Sequence, residues 1–145
     1  GDFTLTTKAD RIDRLNDGKL AIIDYKTGSV PSWSKVESGY YPQLPLEGIV
    51  AQENGYSGIA EIEVGEIAYW QLGASPQNGL CRYERSLGEL LGSARLGLQS
   101  LIESFDDPST PYLSRPWPQE KGIFDQYEHL ARYKEWAAAD SVDTK

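Results

Sequence analysis

Apolar and polar positions fall in blocks whose period changes along the chain, and each block predicts an element. FTLTTKADRIDRL, residues 3–15, mixes β-branched and aromatic residues with charged ones and predicts a half-exposed strand. The apolar run in KLAIIDYKT, residues 19–27, predicts a buried strand. Between them, Asn16-Asp17-Gly18 predicts a three-residue hairpin loop with Gly18 in the left-handed conformation. That loop pairs Leu15 with Lys19. Continued outward, the same register sets Asp10 opposite Asp24 and Lys8 opposite Lys26. Positions i and i+2 of a strand share a face, so Asp24 and Lys26 lie on one side and Ile23 and Tyr25 on the other.

Beyond the hairpin, GSVPSWSKVESGYYP (28–42) has the Gly, Ser and Pro content of a loop. A helix is expected over 43–54, with Leu46, Ile49 and Val50 facing the core. Pro45 fits in its first turn, where no amide donor is needed, and Gly55 ends it. EIAYWQL (66–72) predicts a central strand, SPQNG a loop, and LCRYER a further strand. The clearest helix is 87–105, where Leu87, Leu90, Leu91, Ala94, Leu98, Leu101 and Phe105 recur at helical spacing. Ser86 and Glu89 form its capping-box signature. Pro108, Pro111, Pro116 and Pro118 then predict an extended wrap, FDQYEHLARYKEW a short helix, and AAADSVDTK a frayed tail. The expected fold is α/β, a central mixed sheet flanked by helices. Residues 1–107 form its core, and 108–145 are the C-terminal wrap of the same domain.

Composition narrows the function classes. A 145-residue chain with 39% hydrophobic residues can bury one core, and no apolar run approaches a membrane span. One cysteine, Cys81, excludes an internal disulfide or a multi-cysteine metal or iron–sulfur site and suits a cytoplasmic setting. The net charge of −8 argues against a generic nucleic-acid binder. That acidity is uneven: residues 1–36 net +1 and residues 37–145 net −9. The absence of methionine and a start that already reads as strand suggest a piece of a longer protein.

The candidate chemistry lies on the hairpin. Two opposed carboxylates, Asp10 and Asp24, repel unless a cation lies between them, and their oxygens suit a hard divalent ion. Lys26, one pleat further on, is placed to orient a water or offset charge on a phosphoryl oxygen. Two carboxylates and a lysine are the groups that metal-assisted phosphodiester hydrolysis needs. The same residues also read as a salt-bridged hairpin of Asp10, Asp24, Lys8 and Lys26, and both readings stay open on residue types alone.

KADRID, the spacing from Asp10 to Asp24, IIDYKTG and then PQLPLEG resemble the RecB-like branch of the PD-(D/E)xK nuclease superfamily. More closely, they are similar to the C-terminal nuclease domain of AddB, a subunit of the AddAB helicase–nuclease. The ending PYLSRPWP…YEHLARYKEW also resembles AddB proteins, so the likeness covers nearly the whole chain. It implies a restriction-endonuclease-like core, truncated at its N-terminus, in a DNA exonuclease module acting in double-strand break repair and recombination. It further implies Asp10 and Asp24 as metal-binding acids, the Tyr25 backbone carbonyl as a further ligand, and Lys26 as catalytic lysine. Gln43 is implied near DNA and the site. Mg²⁺ or Mn²⁺ is the implied cofactor, and DNA and an AddA-type helicase–nuclease subunit are the implied partners, with no membrane. No iron–sulfur cluster is expected, because the four cysteines that hold one in some relatives are missing. Two departures stand out. Glu47 occupies the place of a tyrosine in the wider RecB-like pattern, and the upstream helix that supplies an acid or histidine precedes this chain. Another RecB-like exonuclease, or a nuclease-derived module that only binds DNA or a partner, are the alternatives.

Other residues read more plainly. Asp13 is expected to face away and pair with Arg11. Glu47 is expected on a solvated helix face, with reach to the metal from the next turn as the alternative, and Gln43 by residue type alone reads as a helix cap. His129 is expected to be structural and Cys81 a small buried residue. Trp33 and the Tyr40–Tyr41 pair read as loop packing beside the hairpin, with base stacking as the alternative. Trp70, Trp117 and Trp136 read as core or docking residues.

Overall fold

The computed structural model describes residues 3–53, 55–59, 62–73 and 79–112. It divides into two units, Gly1–Asp106 and Asp107–Lys145. In the first, the elements run β1 (Arg11–Arg14), β2 (Leu20–Lys26), α1 (Trp33–Glu37), α2 (Gln43–Gln52), β3 (Val64–Gln71), β4 (Leu80–Arg82) and α3 (Leu87–Asp106). The strands form one mixed sheet in the order β1-β2-β3-β4, with β2 and β3 parallel and both outer pairs antiparallel. This is the α/β fold with a central mixed sheet that the sequence pattern predicts, and it matches the restriction-endonuclease-like core that the family resemblance implies. In the second unit, the Ser109 N–H and hydroxyl both donate to Asp107 Oδ1 at 2.8 Å, which holds that carboxyl below its ordinary pKa. The predicted terminal helix, the tail, His129, Trp117 and Trp136 lie outside the described residues, as does most of the SPQNG loop.

The hairpin has the predicted register. Arg11 pairs with Ile23 and Arg14 with Leu20. The loop closes through the Leu15 N–H to the Lys19 carbonyl at 2.8 Å, and Gly18 takes φ +87°. A Cβ is disfavoured there, so glycine suits the position. β1 is shorter than expected, because residues 3–9 form no strand. Continued pairing would give the Tyr25 N–H to the Ala9 carbonyl. Asp10 Oδ2 accepts it instead, at 3.0 Å, while the Thr7 hydroxyl lies 2.6 Å from the Tyr56 hydroxyl. The ladder therefore stops at Arg11, and neither Asp10–Asp24 nor Lys8–Lys26 becomes a strand pair.

One face of the sheet carries the core. Leu20 and Ile22 of β2 and Val64, Ile67 and Tyr69 of β3 pack against Val36 of α1, Leu44, Ile49 and Ala51 of α2, and Leu90 and Leu91 of α3. Each large apolar side chain among them stabilises the fold by about 1.5–3 kcal/mol. The buried residues of α2 are Leu44, Pro45, Glu47, Gly48, Ile49 and Ala51, so Ile49 faces the core as expected and Leu46 packs against it, while the centre of the stripe is turned from Val50 toward Gly48. The reason lies at Gly48, where a Cβ would stand 3.0 Å from Leu91 Cδ2. A helix with glycine there can approach α3 closely, and α2 rotates that position inward.

α1 lies within the stretch read as loop. Trp33 stacks on Tyr69 with ring centroids 5.1 Å apart and meets the Tyr83 ring edge-on at 5.2 Å. α3 starts as predicted, with the Glu89 N–H 3.4 Å from the Ser86 hydroxyl. Its apolar face is buried at Leu90 and Leu91 but exposed at Leu101 and Phe105. A 10-residue α2 spans about 15 Å and cannot cover a 20-residue α3 of about 30 Å. β4 is an edge strand of three residues, so Cys81 is exposed and free, contrary to the buried place expected of it. Among the described residues, no helix is long and apolar enough to cross a membrane.

Candidate active site

The last residues of β2 leave the core on the helix-covered face. Ile22 is fully buried, Asp24 on the next pleat is 2% exposed, and the Lys26 side chain after it is 28% exposed. Asp24 lies opposite Tyr69 in the parallel ladder, and Lys26 opposite Gln71. The Lys26 ammonium reaches back to Asp24 Oδ2 at 2.5 Å and lies 5.6 Å from the centre of the Tyr69 ring. A buried carboxylate at a strand end is thereby neutralised by the next same-face side chain.

α2 delivers two more polar groups from its first turns. Residues four apart on a helix are neighbours, and here they are Gln43 and Glu47. The Gln43 amide nitrogen donates to Asp24 Oδ1 at 2.7 Å and to Glu47 Oε1 at 3.1 Å. Its oxygen accepts from Lys26 Nζ at 3.3 Å. Gln43 is thus a bridge between sheet and helix, and no side chain caps α2.

Glu47 corrects the expectation of a solvated face: it is 2% exposed. Burial raises its pKa first. The Gln43 hydrogen bond opposes that rise, the charges of Asp24 and Asp10 add to it, and Lys26 opposes it. Its Oε2 is buried and accepts no hydrogen bond. The Tyr69 hydroxyl is pushed far up, by burial first and then by the charges of Asp24 and Glu47. The Gln43-x-x-x-Glu47 spacing was the available signal for Glu47. It was outweighed by the rule that a lone glutamate on a helix faces water.

The remaining expected residues divide by face. Asp10 stands at the mouth of β2 through its bond from the Tyr25 N–H. On the opposite face Arg11 pairs with Asp13 at 2.7 Å, so Asp13 turns away from the cluster as expected. Arg11 also donates to the Tyr25 hydroxyl at 3.3 Å and lies over the Trp70 ring at 5.3 Å. The Tyr25 side chain packs there against Trp70, and only its backbone belongs to the β2 end of the site. Tyr40 and Tyr41, just before α2, meet edge-on at 5.2 Å and are more than a third exposed.

Asp10 and Asp24 against the one Lys26 ammonium leave the end of β2 with an excess of negative charge when all are ionised. Among the described residues, no group of three or more His, Cys, Asp or Glu side chains forms a ready-made metal cage. The fit to a divalent ion is one of donor chemistry and charge. The free side-chain donors are carboxylate oxygens, as hard cations prefer. Asp24 Oδ2 is buried with the Lys26 ion pair and no hydrogen bond of good geometry. A buried carboxylate oxygen in that state suits a cation.

A family model described as the PD-(D/E)XK nuclease superfamily matches residues 1–140. Among curated proteins, an uncharacterized protein of Rickettsia conorii is 38% identical over 56 residues, 39% of this chain and 7% of that protein. One of Rickettsia felis is 38% identical over 56 residues, 39% of this chain and 6% of its own length. One of Rickettsia typhi is 33% identical over 67 residues, 45% of this chain and 8% of its length. The matched stretch is under a tenth of each relative. No solved structure matches the chain.

Proposed function

This chain belongs to the PD-(D/E)XK nuclease superfamily, and from that premise we propose that it is the phosphodiester-cleaving module of a DNA exonuclease. The observation that carries the reading is the Asp24–Lys26 pair at 2.5 Å, sited at a strand end beside Gln43 and a second buried acid. A surface salt bridge would need none of that burial. Superfamily nucleases generally use divalent metals, and here Asp10, Asp24 and the Tyr25 carbonyl would hold Mg²⁺ or Mn²⁺. Such an ion, when bound, lowers the pKa of a water and offsets charge on the phosphoryl group. Lys26 keeps its ammonium at the site through Asp24 and Gln43, where it can orient that water or meet a phosphoryl oxygen. Gln43 fixes the lysine relative to the sheet.

The order and spacing of KADRID, IIDYKTG and PQLPLEG and the likeness of the C-terminal stretch support a finer reading. In it the module belongs to an AddB-type subunit of a cytoplasmic helicase–nuclease, works beside an AddA-type partner, and trims DNA during double-strand break repair.

The test uses the complete protein with its partner. Asp24→Asn should weaken Mn²⁺ binding at least about tenfold and cleavage about a hundredfold or more. Lys26→Ala should lower cleavage to a similar degree with Mn²⁺ affinity kept, because the lysine is not a ligand. A Lys26→Ala protein that cuts at the normal rate removes Lys26 from the chemistry.

A further inference from the structure

We propose that Glu47 is a positioning residue for Lys26, acting through the side-chain amide of Gln43; the proposal rests on the nuclease reading above. An amide can present either end, and here each end has a definite neighbour. Its nitrogen faces Asp24 Oδ1 at 2.7 Å and Glu47 Oε1 at 3.1 Å, and its oxygen faces the Lys26 ammonium at 3.3 Å. Flipped, the amide would turn two donors on an ammonium and a lone-pair oxygen on two carboxylates. Asp24 uses one N–H of the amide and Glu47 the other, so both donors are satisfied.

Asp24 cannot do this alone once the site is at work. Its Oδ1 holds Gln43 and its Oδ2 holds Lys26. A cation drawing on either oxygen weakens one of those ties. Glu47 is the remaining anchor of the amide, and it sits one turn along the same helix, independent of the sheet. At 2% exposure it holds Gln43 with little competition from water. What the position supplies is an acceptor, which a carboxylate and a neutral carboxyl both offer. Glutamine should serve there and an apolar residue should not. The orphaned Oε2 marks the cost of keeping a carboxyl at this depth.

The experiment compares Glu47→Gln and Glu47→Met in the complete protein, with Asp24→Asn as control. Three quantities are read: Mn²⁺-dependent cleavage, Mn²⁺ affinity by calorimetry, and the ¹⁵N-resolved side-chain amide proton pair of Gln43. Glu47→Met, close to isosteric, should lower kcat roughly tenfold or more, keep Mn²⁺ affinity within about twofold, and collapse the resolved Gln43 proton pair. Glu47→Gln should keep all three near wild type. If both variants lose Mn²⁺ affinity, Glu47 is a charge of the cation site and the positioning role is overturned. It is equally overturned if Glu47→Met cuts normally with the Gln43 pair intact. Glu47→Ala replaces Met if that variant does not fold. An Asp24→Asn protein with unchanged Mn²⁺ binding and cleavage would instead sink the nuclease site itself, which separates the two failures.

Discussion

The Tyr25 N–H donates to Asp10 Oδ2 at 3.0 Å, and this one bond ends the hairpin where the acidic cluster begins. The side chain does what the Ala9 carbonyl would do in a longer ladder. Asp10 is therefore tied to the β2 backbone and not to the Asp24 side chain. Asp10→Ala should expose the Tyr25 amide and cost about 0.5–1.5 kcal/mol, whereas Asp10→Asn keeps an acceptor and should preserve the bond. Amide hydrogen exchange at Tyr25 checks this, and unchanged protection in Asp10→Ala would refute it.

Glu47 makes stability depend on pH in an unusual direction. Its pKa is raised from 4.5 in the folded state, chiefly by burial. Over the window above 4.5 the folded state then holds more proton than the unfolded chain, so stability falls as pH rises through the folded pKa. Glu47→Gln removes that dependence. In metal-free buffer, urea unfolding from pH 4.5 to 7 should show the variant gaining on the wild type as pH increases. A constant difference across the window would mean that Glu47 titrates normally.

Trp33 links α1 to the sheet by stacking on Tyr69, and its buried indole N–H has no hydrogen-bond partner. Trp33→Phe keeps an aromatic ring, smaller than the indole, and deletes the orphaned donor, so it should cost under about 1.5 kcal/mol. Trp33→Ala should cost about 2–4 kcal/mol, less than a fully buried tryptophan because the residue is half-buried. Denaturant midpoints measure both. Equal losses would show that the ring contributes little.

At Gly48 the two effects of an added methyl oppose each other. Alanine gains about 1 kcal/mol of helix propensity but meets Leu91 Cδ2 at 3.0 Å. Gly48→Ala should therefore stay within about 1 kcal/mol of wild type, while the larger Gly48→Val should lose about 1–3 kcal/mol. A valine variant as stable as wild type would show that Leu91 yields freely.

Long apolar runs mark the buried elements, whereas the clearest helical period, that of α3, continues past its burial at Leu90 and Leu91 to exposed Leu101 and Phe105. β2, β3, α2 and the start of α3 were legible because their apolar runs are long, and Asn16-Asp17-Gly18 specified the hairpin register by turn chemistry alone. β1 was overdrawn because no local pattern shows that a distant tyrosine, Tyr56, draws Thr7 away from the ladder. α1 is five residues long, too short for a helical period, and its Trp33 contacts come from tertiary packing. Of the cluster, Asp24 and Lys26 could be paired from strand alternation, but the joint grip of Asp24 and Glu47 on Gln43 depends on the rotation of α2. That rotation follows from Gly48, whose significance appears only when Leu91 faces it.

Because one helix brings backbone and no side chain to the Gly48–Leu91 contact, the separation of α2 and α3 has little slack. A side chain can swing to another rotamer, whereas a bare backbone can yield only by moving the whole helix. Gln43 and Glu47 ride on that helix. A substitution at Leu91 would thus be felt as misalignment of both. In a genetic screen, such changes would score alongside lesions of the chemistry itself. Suppressors of a bulky residue at Gly48 should accordingly arise as smaller residues at Leu91.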